Sequence, residues 1–419
     1  MNLATRHTSQ PPSAIKPSPA VKDPAEGTTQ KKRIESIDLL RGLVMIIMAI
    51  DHTRDYFHAD AFVYDPTDLT RTSISLFFTR WITHYCAPVF IFLAGTSAFL
   101  YGNKTGRKGL SFFLWTRGVW LLVIEAIILS FFKTFNPTFP YINLQVIWAI
   151  GICMIVLSGL VLLPRRVILL IGLVLVCGHN LLDGVHVPGE GLGAFLWSVL
   201  HDPHNFHYGR FLVTVKYPVL PWIGVMALGY YCGRWFITET DPARRRLLLI
   251  LLGVGAVELF VILRWIDVYG DASHWFSQKN FIFTLMSFLN VTKYPPSLLY
   301  ILMTLGPALI FLAFAEKPLR WLGSRIATLG RVAMFFYLAH FLLLHILATI
   351  GALIEGYRLR DMILSVPVYN SPELKGYGFS LGTTYLVWIS VVLMLYPLCK
   401  CYDRYKRANV GKKKWLSYL

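Results

Sequence analysis

Residues 37–57 read IDLLRGLVMIIMAIDHTRDYF. About twenty predominantly apolar residues are needed to cross ~30 Å of hydrocarbon, and this run has that length. Similar runs recur near 74–100, 110–132, 144–163, 165–183, 218–237, 246–266, 297–315, 328–353 and 380–399, which gives ten helices. Residues 193–200 and 279–290 read as short interfacial helices. The composition agrees: 55% of the 419 residues are hydrophobic and 15% are charged, against roughly 25% charged in a soluble domain. The fold class is therefore all-α, a polytopic transmembrane bundle of about ten helices.

The net charge of +17 would suggest nucleic acid in a soluble protein. Here the basic residues alternate between loops, which is a topology signal. With the N-terminus inside, the inner segments hold 26 Lys and Arg and the outer loops 10, with Arg41, Arg80, Arg117 and Arg264 inside helices. The bias predicts N-in and C-in, with Arg244–Arg246 and Lys412–Lys414 serving topology and the anionic lipid surface. Residues 1–33, rich in Pro, Ser, Thr and Lys, read as a disordered cytoplasmic tail and carry no apolar signal-peptide core. Residues 34–400 form the membrane domain, and 401–419 a basic cytoplasmic tail. None of the six cysteines falls in an outer loop, so no disulfide framework is expected.

Charged groups inside apolar helices are costly and mark function by default. In the first helix, Arg41 and His52 are eleven residues apart. That is about 16 Å along the axis and close to three whole turns, so both leave nearly one face. A fixed cation at the inner boundary suits an anionic donor; an imidazole nearer the outer end suits a proton acceptor. Asp55 lies one turn from His52, placed to orient its ring, and Asp51 adjoins it. The alternative is that Arg41 is an anchor and 51–55 an interfacial cap. Arg80 and His84 share a face at i,i+4, either lining a cavity or bonding a neighbouring helix. Small residues at Gly95–Ala98 allow close packing. Tyr337 and His340 share a face further on. Glu125, Glu258 and Arg264 are expected in internal pairs, and His179 as structural. The outer-loop histidines 186, 201, 204 and 207 show no ligand spacing, so no metal is expected. No Walker A loop, G-x-S-x-G elbow or H-E-x-x-H motif is present.

Several blocks resemble the heparan-alpha-glucosaminide N-acetyltransferase-like family of bacterial membrane proteins: Arg33–Gly42 with Met48–His52, Pro88–Ser97, Pro221–Met226, Asn290–Ser297 and Gly330–His340. The resemblance implies a multi-pass enzyme of a bacterial cytoplasmic membrane. Such an enzyme takes an acyl group, usually acetyl from acetyl-CoA, on the inner side and delivers it to a carbohydrate or related acceptor outside. The Arg41–His52 spacing also looks like that of O-antigen acetylases, where the histidine is taken as catalytic. On this reading His52 is general base or acyl carrier, Asp55 or Asp51 orients it, and Arg41 meets donor phosphates. Arg80, His84, Asn290, Lys293, Tyr294, Tyr337 and His340 line the cavity. Lysosomal members place their histidine further along, which makes His58 the alternative. Membrane lipids are the expected surroundings; monomer and homodimer stay open. A secondary transporter, which should show inverted repeats, and a non-catalytic scaffold or sensor are the rival classes.

Overall fold

The computed structural model describes residues 35–237, 240–316, 321–409, 412, 413 and 416; the expected tail at 1–33 lies outside them. Fourteen α-helices follow in order: α1 (Glu35–Phe57), α2 (Ile74–Ile82), α3 (Cys86–Val123), α4 (Ser130–Thr134), α5 (Val146–Leu160), α6 (Arg165–Gly178), α7 (Leu192–Leu200), α8 (Leu220–Cys232), α9 (Pro242–Ile266), α10 (Phe281–Leu289), α11 (Leu298–Phe314), α12 (Trp321–Arg331), α13 (Ala333–Ile354) and α14 (Leu381–Ala408). The protein is an all-α polytopic membrane protein. Among the described residues, five stretches are long and apolar enough to cross a membrane: Ile74–Thr134, Arg165–Leu182, Pro242–Ile266, Ala333–Ile354 and Leu381–Ala408. α5 and α11 are shorter apolar helices. Apolar side chains such as Leu170, Leu251, Leu386 and Leu393 face outward, a surface that suits lipid rather than water.

The second and third expected helices follow one another with little interruption. The chain reverses at Gly106, whose φ of 76° and ψ of 170° break the helix within α3; a side chain is strained at such a φ. Near the other end, a 3-10 turn at Thr83–Tyr85 precedes α3. Pro88 has no N–H for the carbonyl of His84 four residues earlier. That carbonyl instead accepts the Tyr300 hydroxyl at 2.7 Å, so the break is tied to α11.

α1 packs against α3, α12, α13 and α14. Its crossing with α12 depends on two glycines. A Cβ on Gly42 would collide with the Ile326 carbonyl, and one on Gly330 with the Asp38 carbonyl. α3 meets α8 in the same manner, where Gly95 and Gly229 each lie against the other helix's backbone and Thr96 donates to the Gly229 carbonyl at 3.0 Å. Without a hydrophobic driving force in lipid, such close backbone approaches supply the packing.

The connecting segments contain a small sheet that the sequence reading did not foresee. Strands β1 (Tyr141–Leu144), β2 (His204–Tyr208) and β3 (Phe211–Val215) pair in the order β1-β3-β2. β2 and β3 form a hairpin around Gly209 and Arg210, and β1 runs parallel to β3. The short helices expected near 193–200 and 279–290 are present as α7 and α10. At the C-terminus, the expected basic tail is helical to Ala408, because α14 continues through it and Asp403 pairs with Arg331 of α12. The described residues belong to one unit.

Candidate active site

The C-terminal end of α1 opens on a cavity of about 370 Å³. It is lined by Asp51, His52, Arg54 and Asp55 of α1 together with Arg80, Gln145, Lys216, Tyr217, Tyr294 and Tyr369. A second void of about 30 Å³ continues from Asp51, His52 and Tyr217 past Met48, Cys86, Phe90 and Lys293. Met48 lies one turn nearer the N-terminal end of α1, so this neck points along the helix toward that end. His52 stands where the two meet.

His52 Nδ1 and His340 Nε2 are 2.7 Å apart, and His340 Nδ1 is 3.2 Å from the Phe336 carbonyl. A carbonyl only accepts, so His340 Nδ1 carries the proton. With both rings neutral, His340 Nε2 then offers its lone pair and receives the Nδ1–H of His52. His52 Nε2 is left with a lone pair and makes no hydrogen bond among the described residues. Phe341 and Tyr337 flank the imidazole at ring-centre distances of 4.3 and 6.1 Å.

Several expected roles change. Asp55 does not orient His52: its Oδ1 accepts from Arg54 at 2.7 Å, because the neighbouring guanidinium captures it. His340 takes that part, and it lies fully buried behind His52 rather than in the cavity wall. Asp51 binds Arg80 Nη1 through both oxygens, at 2.8 and 2.6 Å, with Arg54 at 3.0 Å. His84 and Tyr337 are buried outside the wall, and neither His84 Nδ1 nor the Tyr337 hydroxyl has a partner among the described residues. Asn290 is structural, donating to the Thr67 carbonyl. His58 is buried beyond the end of α1, 3.9 Å from Asp60 and outside the wall. Arg41 lies within the helix packing, donating to Ser97 Oγ at 2.9 Å and to Asp38 and the Gly330 carbonyl at 3.4 Å. Of the expected internal pairs, Glu125 meets Lys133 at 2.8 Å. Arg264 donates to four carbonyls and lies 3.6 Å from Asp267, whereas Glu258 is exposed on α9 with no ion pair among the described residues.

The loop Asn290–Ser297 brings Tyr294 to the cavity and Lys293 to the neck. Asp271 holds this loop, accepting from the Thr292 N–H and hydroxyl and from the Ser297 hydroxyl at 2.8, 2.7 and 2.6 Å. Lys216 and Gln145, missed in the sequence, arrive through the sheet. They follow β3 and β1 directly, and the Lys216 N–H donates to the Leu144 carbonyl. Lys216 and Lys293 lie 5.1 and 5.3 Å from the centre of the Tyr294 ring. Burial opposes ionisation of the Tyr294 phenol. Lys293, Lys216, Arg80 and a hydrogen bond from Tyr217 outweigh that and draw its pKa down to about 7.

Residues 33–264 match the family described as heparan-alpha-glucosaminide N-acetyltransferase, catalytic. The match covers more than half of the chain. The chain belongs to this family. It is thus an integral membrane protein of acetyltransferase type, and the match includes α1 with His52 and the cavity residues Arg80, Lys216 and Tyr217. The family match ends before Lys293, Tyr294 and His340. No curated protein matches the chain.

Proposed function

We propose that this family member transfers an acyl group, acetyl in the first instance, from cytoplasmic acyl-CoA to a hydroxyl or amine of an extracytoplasmic carbohydrate or related acceptor. The observation that carries the reading is the Phe336–His340–His52 chain of hydrogen bonds, which leaves a lone pair on His52 Nε2 between an outer cavity and an inward neck. The acceptor occupies the cavity and the thioester approaches through the neck. His52 Nε2 takes the proton of the acceptor as its oxygen or nitrogen attacks the thioester carbonyl. The tetrahedral oxyanion forms beside Lys293, Arg80 and Arg54, cations held in place before reaction. Collapse expels the CoA thiolate, to which the imidazolium returns the proton. A covalent acyl-histidine would start from the same lone pair.

The donor's phosphates need cations at the inner end. The sequence reading gave that part to Arg41. A cleft of about 490 Å³ beside it is better suited, lined by Arg325, Arg331, Lys400, Arg404 and Arg407 with Trp321 and Tyr396. Arg331 follows Gly330, whose carbonyl Arg41 meets, so the cleft adjoins the inner end of α1. Arg331 and Arg407 pair with Asp403, while Lys400 and Arg404 are exposed and make no ion pair among the described residues. The test is direct. Purified protein should bind acetyl-CoA, and in vesicles should pass a labelled acetyl group to an acceptor on the opposite side. Absence of acetyl-CoA binding by folded protein would overturn this reading and favour transport or a scaffold role.

A further inference from the structure

Away from this cavity, the chain gathers three metal-type donors. α6 ends in a 3-10 turn, His179–Leu182, followed by Asp183. His201 comes from the end of α7, in the long outer loop. One ligand atom each from His179, Asp183 and His201 lie within 4.8 Å of one another. Both imidazoles are 2% exposed. His201 Nε2 and Asp183 Oδ1 are 2.9 Å apart. Neither nitrogen of His179 has a hydrogen-bond partner among the described residues. A buried imidazole with both nitrogens unsatisfied calls for an explanation, and here it lies beside a histidine and a carboxylate.

We propose that His179, Asp183 and His201 bind a divalent transition metal, Zn²⁺ by preference. Imidazole and carboxylate at bond lengths of about 2.0–2.2 Å are its usual donors, and imidazole favours it over Mg²⁺ or Ca²⁺. The ion replaces the His201–Asp183 hydrogen bond and gives His179 its missing partner. Bringing the three donors onto one ion requires a shift of roughly 1 Å, set by those bond lengths. Water completes the fourth corner. The supporting groups are already in position. Asn180 donates to Asp183 Oδ2 at 2.8 Å, orienting the carboxylate as outer partners of metal ligands do. The same Asn180 accepts the Leu298 N–H at 2.9 Å. One ion therefore joins the end of α6, the outer loop after α7 and the start of α11. Its work is to fix that loop, since His201 comes from a segment separate from that of His179 and Asp183. The outer-loop histidines showed no ligand spacing among themselves because His201 finds its partners in His179 and Asp183, before that loop.

The test uses the full-length chain, purified in detergent through a tag without histidines, stripped with chelator, reloaded with Zn²⁺ and desalted. About one Zn²⁺ per chain should remain by elemental analysis. His179→Gln, which breaks no hydrogen bond, should lose it, whereas the double variant His186→Ala with His207→Ala, at exposed histidines nearby, should keep it. Co²⁺ in place of Zn²⁺ should give the visible absorption of a four-coordinate site in the wild type but not in His179→Gln. Zn²⁺ should also slow proteolysis within residues 184–217. Wild-type chain that retains well under one Zn²⁺, or His179→Gln that retains as much as wild type, overturns the proposal. If His179→Gln does not fold, the wild-type stoichiometry and Co²⁺ spectrum decide alone.

Discussion

A histidine in a membrane helix can be a core residue or a base, and its second nitrogen tells them apart. Both nitrogens of His345 face backbone carbonyls, those of Phe132 at 2.9 Å and Met362 at 3.0 Å, and its ring stacks on Phe135 at 3.8 Å, so it is part of the packing. His52 spends one on His340 and keeps one. His52→Ala should therefore reduce acyl transfer by about 10²–10⁴-fold, the usual contribution of a general base, while acetyl-CoA binding persists. His58→Ala should stay near wild type in the same assay; if it alone loses turnover, the base lies about two turns further on. His340→Phe should lower turnover by up to about 10²-fold through misplacement of the His52 ring, with little change in donor affinity. A second residue-scale expectation concerns Tyr294. A phenol whose folded pKa is about 7, below its ordinary value near 10, contributes stability that is full above pH 10 and is lost as pH falls to 7. Absorbance near 295 nm should show one tyrosine ionising near pH 7. Tyr294→Phe should lack that step, and its stability deficit should widen between pH 7 and 10. Wild type without the step would show that Lys216 and Lys293 do not outweigh burial.

At the scale of elements, the geometry of the site depends on the α1–α12 crossing, the loop held by Asp271, and the β1–β3 pairing. Gly42→Val puts a branched side chain against the Ile326 carbonyl, and overpacking typically costs about 1–3 kcal/mol. It should lower the melting temperature in detergent, whereas substitution at Gly159, where a Cβ meets open space, should not; equal effects would mean that the crossing is loose. These elements also show what was legible in the sequence. Helices and short apolar segments were, because hydrophobic runs and their lengths are local. Asp51, His52 and Arg80 stood out as charges within apolar runs. Lys216, Tyr217 and Gln145 did not, because β1 and β3 pair across about 70 residues and the strands are too short to show a period. Asp55 was misassigned for a related reason. Helical spacing says which side chains share a face but not which neighbour, here Arg54, reaches the carboxylate first.

Across the whole molecule, the reaction asks for two unlike ends, a polyanionic donor at one and an acceptor at the other. The charge bias assigns the N-terminus, the 102–109 turn and the C-terminus to the inside. The fold brings the inner end of α1, Gly330–Arg331 and the end of α14 together on that side. The acceptor cavity lies at the opposite end of α1. Single cysteines at 104 and 108 should therefore resist an impermeant outside label that reaches 186 and 207; labelling at 104 would invert the map. If the donor enters where the basic cleft lies, charge there should govern donor affinity and nothing else. Lys400→Glu with Arg404→Glu reverses two exposed charges outside the Asp403 ion pairs. At roughly 0.5–1 kcal/mol for each exposed interaction, the pair should raise the KM for acetyl-CoA about tenfold while leaving kcat near wild type. The effect should shrink with added salt, since exposed charges are screened over about 10 Å at 0.1 M. His52→Ala should show the opposite split, in kcat with donor binding kept. A charge-reversed protein with wild-type KM at low salt would take the phosphates away from this cleft and return Arg41 to consideration.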